Sequence, residues 1–210
     1  ERCLFCFMCP CNVYDIKIIS SKGLVEEDIE ALRNISNIKN IEGTYSKDIA
    51  ITKNEEQIVI NVSSLPSDIN KIDLIDGRLP IKDNEIVVEE NLLIKEDYKI
   101  GDILLLNDED LINQEVTIVG TINSHLYFNN TKVNQNRGTT SIGTGTINYY
   151  SYMLPSNFNQ SYYTYIYLTI NNANEKVTSK DDYNKLIDDV TNSIEKIKTN
   201  MEAEDSKLFY

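Results

Sequence analysis

Short segments rich in β-branched and aromatic residues recur along most of this chain, and they limit the folds that it can adopt. Through the middle of the sequence they are spaced about 8–12 residues apart, with turn-forming residues between them. Such segments predict short β-strands in a small barrel or sandwich. The predicted strands are Val13–Ile19, Asn37–Tyr45, Gln57–Ser63, Glu85–Glu89, Lys99–Leu106, Gln114–Ile122 and Tyr162–Ile170.

Helical periodicity is confined to a few stretches. Residues 26–35 place isoleucine and leucine at three-residue steps, with acids in the first turn, where the helix dipole favours negative charge. Ser179 and the acids after it predict the start of a long amphipathic helix that ends near Asn200. Residues 90–96 are expected to form one or two helical turns. The chain therefore opens β-α-β-β and closes β-α, which predicts an α+β fold.

The order of these elements predicts two parts. Residues 13–75 and 162–200 supply one α+β layer, and residues 76–161 form a smaller β-rich part inserted between them. Within the insert, residues 124–160 lose periodicity, and structureless loops of that length are uncommon in compact domains. We therefore expect a functional loop there. Residues 201–210 are expected to end the helix or to form a tail.

The charge balance excludes one class of partner. The chain carries 20 lysine and arginine residues against 33 aspartate and glutamate residues, a formal net charge of −13. Nucleic-acid binding depends on clustered basic residues, and a polybasic membrane-surface segment depends on them too. No such cluster occurs in the sequence, so we expect no nucleic-acid partner.

All the cysteines lie at the start of the chain, at positions 3, 6, 9 and 11. Four closely spaced thiolates can hold an iron–sulfur cluster or zinc. However, Pro10 lies between the last two cysteines, unlike in the ferredoxin pattern, and only one of the two C-x2-C knuckles of a typical zinc site is present. We interpret residues 1–12 as an engineered or membrane-flanking tail and expect no metal and no cofactor.

Catalytic signatures are weak. His125 is the only histidine, so the two-histidine zinc-protease motif cannot occur, and a Cys-His or Ser-His pair would have to use this residue. The glycine-rich stretch 138–145 lacks the lysine of a phosphate loop. Acid pairs such as Asp181 and Asp182 could hold calcium, but none fits the twelve-residue calcium loop, and solvated charge explains them better. We expect no enzyme activity.

Aromatic residues are densest between positions 149 and 167. Tyrosine supplies large contact area with a polar tip at interfaces. Alternation from Tyr163 onward assigns half of the later tyrosines to the core. We therefore select Tyr149, Tyr150, Tyr152 and Phe158 as the candidate contact surface.

A membrane-spanning helix is not expected within the chain. Such a helix needs about 20 consecutive apolar residues, and the most apolar run, Leu4–Met8, is far shorter. No secretory signal is recognisable either. We expect a soluble piece excised from a longer protein.

Four segments, in this order and spacing, resemble the extracellular domains of ABC-transporter permeases of the FtsX-like, MacB-like class. In that family a G-R-x-P turn introduces an E-I-V-V strand, a K-x-G-D turn follows a short helix, and an F/V-x-I-V-G strand comes next. Residues 137–143 and 153–155 resemble the large Gram-positive members. The four segments are Asp76-Gly-Arg-Leu-Pro80, Asn84-Glu-Ile-Val-Val-Glu-Glu90, Tyr98-Lys-Ile-Gly-Asp-Ile103 and Val116-Thr-Ile-Val-Gly-Thr-Ile122.

The resemblance implies a porter-like α+β subdomain above the membrane, with a smaller β-rich subdomain inserted in it and no catalytic role for either. It implies a location on the extracellular face of the cell membrane, as part of a larger membrane protein. The implied partners are a cytoplasmic ATPase subunit, reached through the missing membrane part, a second permease copy, and an extracellular peptide, lipid or protein. The alternative is a free-standing cell-surface binding module or adhesin, which would share the acidic, cysteine-poor composition.

Overall fold

The structure is a computed structural model that describes residues 12–53, 55–124, 137–143, 145–173 and 180–207. His125 and the four cysteines lie outside these residues, so the predictions about them concern parts of the chain that are not described. Within the described residues there are ten strands and three α-helices. The strands are β1 Ile16–Ile18, β2 Ile38–Thr44, β3 Ser46–Lys53, β4 Glu56–Ser64, β5 Ile72–Gly77, β6 Glu85–Glu89, β7 Ile103–Leu105, β8 Glu115–Ser124, β9 Tyr149–Met153 and β10 Tyr165–Ile170. The helices are α1 Glu26–Arg33, α2 Glu90–Glu96 and α3 Lys180–Lys207, and a 3-10 turn spans Pro155–Asn157.

The small sheet has the order β1-β10-β2, and β10 is antiparallel to both of its neighbours. Period-two alternation turns Ile166 and Leu168 towards α1, where they form one apolar cluster with Ile29 and Leu32. Val190 of α3 is buried in a second cluster on this side of the sheet. The two amphipathic helices therefore cover one face of the small sheet.

Asp15 ties the beginning of α3 to the beginning of β1. Its carboxylate accepts hydrogen bonds from the Tyr183 hydroxyl at 3.2 Å and from the Ile170 N–H at 2.8 Å. The first described strand and the last described helix therefore belong to the same layer of the fold.

The large sheet has seven strands. Five of them follow the order β3-β4-β9-β6-β8, and the other two, β5 and β7, pair with different parts of β8. The pairs β4–β9 and β6–β8 are parallel, and the others are antiparallel. The main apolar core lies on one face of this sheet and includes Leu92 of α2. On the small sheet, Tyr167 is buried on the face away from the helices, with the Tyr14 ring at 4.8 Å.

Strand β8 is the centre of a compact hydrogen-bonded block. Gly77, at φ +77°, lies so close to β8 that a Cβ on it would stand 2.3 Å from the Val119 carbonyl oxygen. A Cβ on Gly120 would likewise stand 2.6 Å from the Arg78 carbonyl oxygen. Next to this crossing, Arg78 donates two hydrogen bonds to the Glu85 carboxylate, at 2.7 and 2.6 Å. The glycines are needed because the two backbones touch here.

The predicted α+β class is confirmed, and most predicted elements are present within a few residues of their expected bounds. Three strands were missed. In β3 only Ile49 and Ile51 are apolar and buried, and β5 is almost wholly exposed. The third, β9, is buried along its whole length and consists of three tyrosines, a serine and a methionine, without an aliphatic β-branched residue.

The boundary predicted between residues 75 and 76 does not coincide with the division of the strands between the two sheets. Strands β3 and β4 precede that boundary but belong to the large sheet, and β5 crosses it. The fourth element of the predicted β-α-β-β opening, which is β4, therefore pairs with β9 instead of joining the small sheet. The division into two domains remains a prediction.

No helix among the described residues is both long enough and apolar enough to span a bilayer.

Candidate functional site

The four aromatic residues predicted as a contact surface are buried. Tyr149, Tyr150 and Tyr152 are 4%, 2% and 5% exposed, and Phe158 is 6% exposed. Their predicted exposure is wrong. Residues 149–153 are strand β9, which lies between β4 and β6 near the middle of the large sheet. All five of its residues are buried, so both of its faces are covered. Of the predicted loop 124–160, residues 125–136 and 144 lie outside the described residues.

The hydroxyls of these buried tyrosines find partners inside the fold. Tyr149 donates to the Glu96 carboxylate at 2.6 Å, and Tyr150 donates to the Arg137 carbonyl oxygen. Burial raises the pKa of both phenols above the ordinary range. A phenol that keeps its proton and has a hydrogen-bond partner is a stable part of a core. These tyrosines therefore stabilise the large sheet.

An open groove lies where the two sheets meet, and it is the strongest candidate site among the described residues. Its volume is about 490 Å³. The small-sheet side contributes Glu42, Gly43 and Tyr163. Strand β4 and the turn after it contribute Ser64, Leu65 and Ser67, and the segment after β9 contributes Pro155, Ser156 and Phe158. Tyr45, between β2 and β3, completes the lining. Grooves between two structural layers are common ligand sites.

Three aromatic rings form the wall of the groove. The Tyr45 ring is central: its centroid is 5.4 Å from that of Phe158, at 18°, and 4.9 Å from that of Tyr163, at 36°. Phe158 is almost fully buried, whereas Tyr45 and Tyr163 are half-buried. Of the four predicted contact residues, only Phe158 lines the groove, and it does so from within the wall.

Tyr163 is held in place by a glycine and an acid. A Cβ on Gly43 would stand 2.8 Å from the Tyr163 ring, so the ring packs directly on the backbone of β2. Its hydroxyl donates to the Glu26 carboxylate at 2.9 Å. Burial, with the hydrogen bond to Glu26, raises the pKa of Tyr163 to about 12. The phenol is therefore neutral at physiological pH.

Glu42 fixes the polar end of the groove. One carboxylate oxygen accepts the Ser67 N–H at 2.7 Å, and the other accepts the Asp68 and Ile69 N–H groups at 3.0 and 2.8 Å. This carboxylate organises the turn after β4 in the way that an acid caps a helix start. It is also the only charged side chain among the ten residues that line the groove.

The sequence analysis did not select Glu42, Tyr45, Leu65 or Pro155. Glu42 and Tyr45 lie on one segment, and Leu65 and Pro155 lie on two others, so only the sheet arrangement brings the three segments together. One local signal was available: Gly43 interrupts a predicted strand, and an isolated glycine in a strand indicates a close approach of another group. That group is the ring of Tyr163.

The described residues contain no group of three or more His, Cys, Asp or Glu side chains that could hold a metal ion. The groove itself contains hydroxyl groups, rings and one carboxylate. This lining offers hydroxyl groups, apolar surface and one carboxylate for contact with a ligand.

No family model and no curated protein matches this chain. Solved structures with a similar arrangement do exist. The extracellular domain of the noncanonic ABC-type transporter YknZ from Gram-positive bacteria has a TM-score of 0.48 and 16% identity, over 80% of this chain and 85% of that one. The periplasmic region of MacB from Actinobacillus actinomycetemcomitans has a TM-score of 0.44 and 13% identity, over 85% and 83%. A domain of a permease protein from Porphyromonas gingivalis has a TM-score of 0.39 and 13% identity, over 76% and 63%.

Proposed function

We propose that this chain is the extracellular domain of an ABC-transporter permease of the FtsX-like, MacB-like class. In this role it carries out no catalysis. It engages an extracellular substrate or partner, and it couples mechanically to a cytoplasmic ATPase through membrane segments outside this chain.

The observation that carries the proposal is that all four segments of the sequence resemblance converge on β8. The first segment ends β5 and the second contains β6, and both strands pair with β8. The third leads into β7, and its Gly101 N–H bonds to the Ile118 carbonyl oxygen at 2.8 Å. The fourth is β8 itself. Motifs that are spread over 47 positions of the sequence, 76–122, therefore form one structural block.

The place of the first strand and of the last helix supports the mechanical part of the proposal. Both lie in the small sheet's layer, so movement transmitted through either element acts first on that layer. The helix α3 has 28 residues, which corresponds to a length of about 42 Å. The groove lies between this layer and the large sheet, so a ligand there would touch both.

Affinity purification tests the proposal. An affinity tag is placed at one terminus of the native protein that contains this chain. The protein is extracted from membranes in mild detergent, and the co-purifying proteins are identified by mass spectrometry. We expect an ABC ATPase subunit in stoichiometric amount. The control is an unrelated membrane protein with the same tag.

Two results would overturn the proposal. The first is a membrane-bound protein that reproducibly lacks an ATPase partner. The second is recovery of the native protein in the culture medium or on the cell wall without membrane segments, which would favour the adhesin alternative.

A further inference from the structure

Strand β3 forms one edge of the large sheet, and its outer side is free within the described part of the chain. It pairs with β4 over eight residues, from Ser46 to Lys53, without a register shift. No other described strand pairs with it. Among the edge strands that the structure describes, β3 is therefore the longest and the most regular.

The alternation of an antiparallel ladder determines which backbone groups of β3 point away from β4. The Ser64 N–H donates to the Tyr45 carbonyl oxygen at 2.9 Å, so the odd-numbered residues from 45 onward bond to β4. The even-numbered residues turn their N–H and C=O groups to the free side. Ser46 agrees with this alternation, because its N–H and its carbonyl oxygen both bond to the Thr164 hydroxyl, at 2.9 and 3.1 Å.

The next three even-numbered residues are Asp48, Ala50 and Thr52. Within the described residues, β3 has a strand partner on the β4 side only, so the N–H and C=O groups of these three residues form a row of available donors and acceptors. Thr52 is exposed, and Asp48 and Ala50 are half-buried. Such a row is the template on which an extended segment of another protein adds to a sheet.

The other described sheet edges carry features that usually prevent this kind of pairing. Strands β1 and β7 have only three residues each. The pairings of β2 with β10 and of β5 with β8 each contain a register shift. Short edge strands and bulges are common protections against strand addition. Strand β3 has neither.

The two lysines of β3 do not protect its edge either. Lys47 contacts the carboxylates of Asp108, at 3.0 Å, and Asp110. The Lys53 ammonium lies 3.3 Å from the centroid of the Tyr98 ring. Both side chains point to the face of the sheet that carries the main core. Neither therefore extends along the free side of the strand.

The side chains of β3 define the chemistry of a suitable partner. Asp48 points to one face of the sheet, and Ile49 and Ile51 belong to the core on the other. The neutral Asn61 amide donates to the Asp48 carboxylate at 2.8 Å, so this contact leaves the negative charge in place. Cross-strand pairs favour a basic residue beside Asp48 and aliphatic residues beside the isoleucines.

The surroundings of the edge favour a basic partner as well. Lys47 and Lys53 are the basic residues of β3. The acids on the strand, at its hairpin and in the loops that its lysines contact are more numerous: Asp48, Glu55, Glu56, Asp97, Asp108, Glu109 and Asp110. The whole chain has a net charge of −13. A second copy would place acids against acids, whereas a basic segment is attracted.

We propose that the free edge of β3 binds, by antiparallel strand addition, an extended segment of a partner protein in which basic residues alternate with aliphatic ones. The basic side chains lie on the face of Asp48, and the aliphatic ones lie beside Ile49 and Ile51. The proposal concerns this edge alone and does not depend on the assignment of the chain to a permease.

Two matched peptides test the backbone pairing. Each has seven residues, with lysine at the odd and valine at the even positions, and is acetylated and amidated. One carries backbone N-methyl groups on its three valines, and the other carries them on its last three lysines. In the proposed arrangement the lysine N–H groups bond to β3, so only the peptide with methylated valines should bind.

Amide hydrogen exchange of the ¹⁵N-labelled 210-residue chain measures this binding at single residues. At a peptide concentration of ten times Kd, we expect exchange of the Asp48, Ala50 and Thr52 amides to slow by about tenfold. The amides of Ile49 and Ile51, which already bond to β4, are the internal reference.

Two pairs of variants locate the site. Thr52→Pro removes an outward N–H without breaking a bond to β4, whereas Thr52→Val keeps that N–H, so only the proline variant should lose binding. Asp48→Asn should weaken binding by about two- to fivefold. Glu27→Gln on the exposed side of α1 removes the same charge elsewhere and should leave binding unchanged. The Asp48 variant still tests the site if Thr52→Pro does not fold.

Several results would overturn the proposal. These are equal binding of the two methylated peptides or the reverse preference, unchanged exchange at the three edge amides, full binding to Thr52→Pro, or equal effects of Asp48→Asn and Glu27→Gln. Protection of the edge amides that rises with protein concentration in the absence of peptide would assign the edge to a second copy instead.

Discussion

The guanidinium of Arg78 and the carboxylate of Glu85 face each other through two parallel hydrogen bonds of 2.7 and 2.6 Å. Glu85 is buried and also accepts the Ile81 and Lys82 N–H groups. This pair closes the turn between β5 and β6 beside the crossing of Gly77 and Gly120. The glycine, arginine and glutamate of the sequence resemblance are therefore parts of one structural joint.

Replacing Glu85 by glutamine should destabilise the protein. The amide keeps the shape but loses the charge that Arg78 and two N–H groups contact, and hydrogen bonds to charged groups contribute about 1.5–3 kcal/mol. We expect the free energy of unfolding to fall by about 2 kcal/mol in urea denaturation. Exposed Glu109→Gln is the control and should change it little. Equal midpoints for the two variants would show that the pair is not a structural joint.

The same carboxylate predicts a dependence of stability on pH. The hydrogen bonds from Arg78, with those from the Ile81 and Lys82 N–H groups, hold the pKa of Glu85 at about 2, against an ordinary value of 4.5. Because the folded pKa is lowered, this stabilisation is complete above about pH 4.5 and is lost as the pH falls towards 2. The stability difference between the wild type and Glu85→Gln should therefore shrink over this range. A difference that stays constant from pH 6 to 2.5 would contradict the account.

Two glycine variants test the close backbone approach at β8. Gly77 and Gly101 both have positive φ, at +77° and +102°, so alanine costs backbone strain at both positions. Only at Gly77 does the new Cβ meet backbone, whereas nothing lies within 4 Å of it at Gly101. We expect Gly77→Ala to lower the free energy of unfolding by about 1–3 kcal/mol more than Gly101→Ala does. Similar losses for both variants would mean that the two backbones at this crossing can move apart at little cost in free energy.

The burial of β9 predicts a large effect of truncating one of its tyrosines. Tyr150→Ser removes a ring that is 2% exposed, and aromatic truncations in cores cost about 3–5 kcal/mol. Tyr162→Ser is the matched control, because Tyr162 is 50% exposed. Thermal unfolding should show a large drop in midpoint for the first variant and a small one for the second. A larger drop in midpoint for Tyr162→Ser than for Tyr150→Ser would mean that Tyr150 is a surface residue.

The sequence predicted the elements in which aliphatic β-branched residues or a helical period stand out. Ile166, Leu168 and Ile170 alternate in β10, and Ile29 and Leu32 recur at helical spacing in α1. It failed at β9, which consists of three tyrosines, a serine and a methionine. The tyrosines there are typical of interfaces by composition, and only their burial in the folded sheet shows them to be core.

The candidate site was less predictable than the fold, for a physical reason. Glu42, Leu65, Pro155 and Tyr163 are separated by up to 121 positions, and they meet only because β2 and β10 pair while β4 and β9 pair in the other sheet. Local sequence patterns contain no information about such a meeting. By contrast, the joint around β8 was indicated by the resemblance, although its hydrogen bonds were not.

The proposed location on the outside of a membrane-anchored protein can be tested with single cysteines. In the native full-length protein, positions 3, 6, 9 and 11 are changed to serine. Cysteine then replaces either Ile81, which is 70% exposed, or Ser151, which is fully buried. Ser151→Cys should not react in the folded protein and is the control for intact structure.

Labelling of intact cells with a membrane-impermeant maleimide is the most direct measurement. The account predicts that Ile81→Cys is labelled before lysis, that Ser151→Cys is not, and that the labelled protein sediments with the membranes. Labelling of Ile81→Cys only after lysis, or labelled protein in the culture medium, would contradict the assignment of this chain to the extracellular face of a membrane permease.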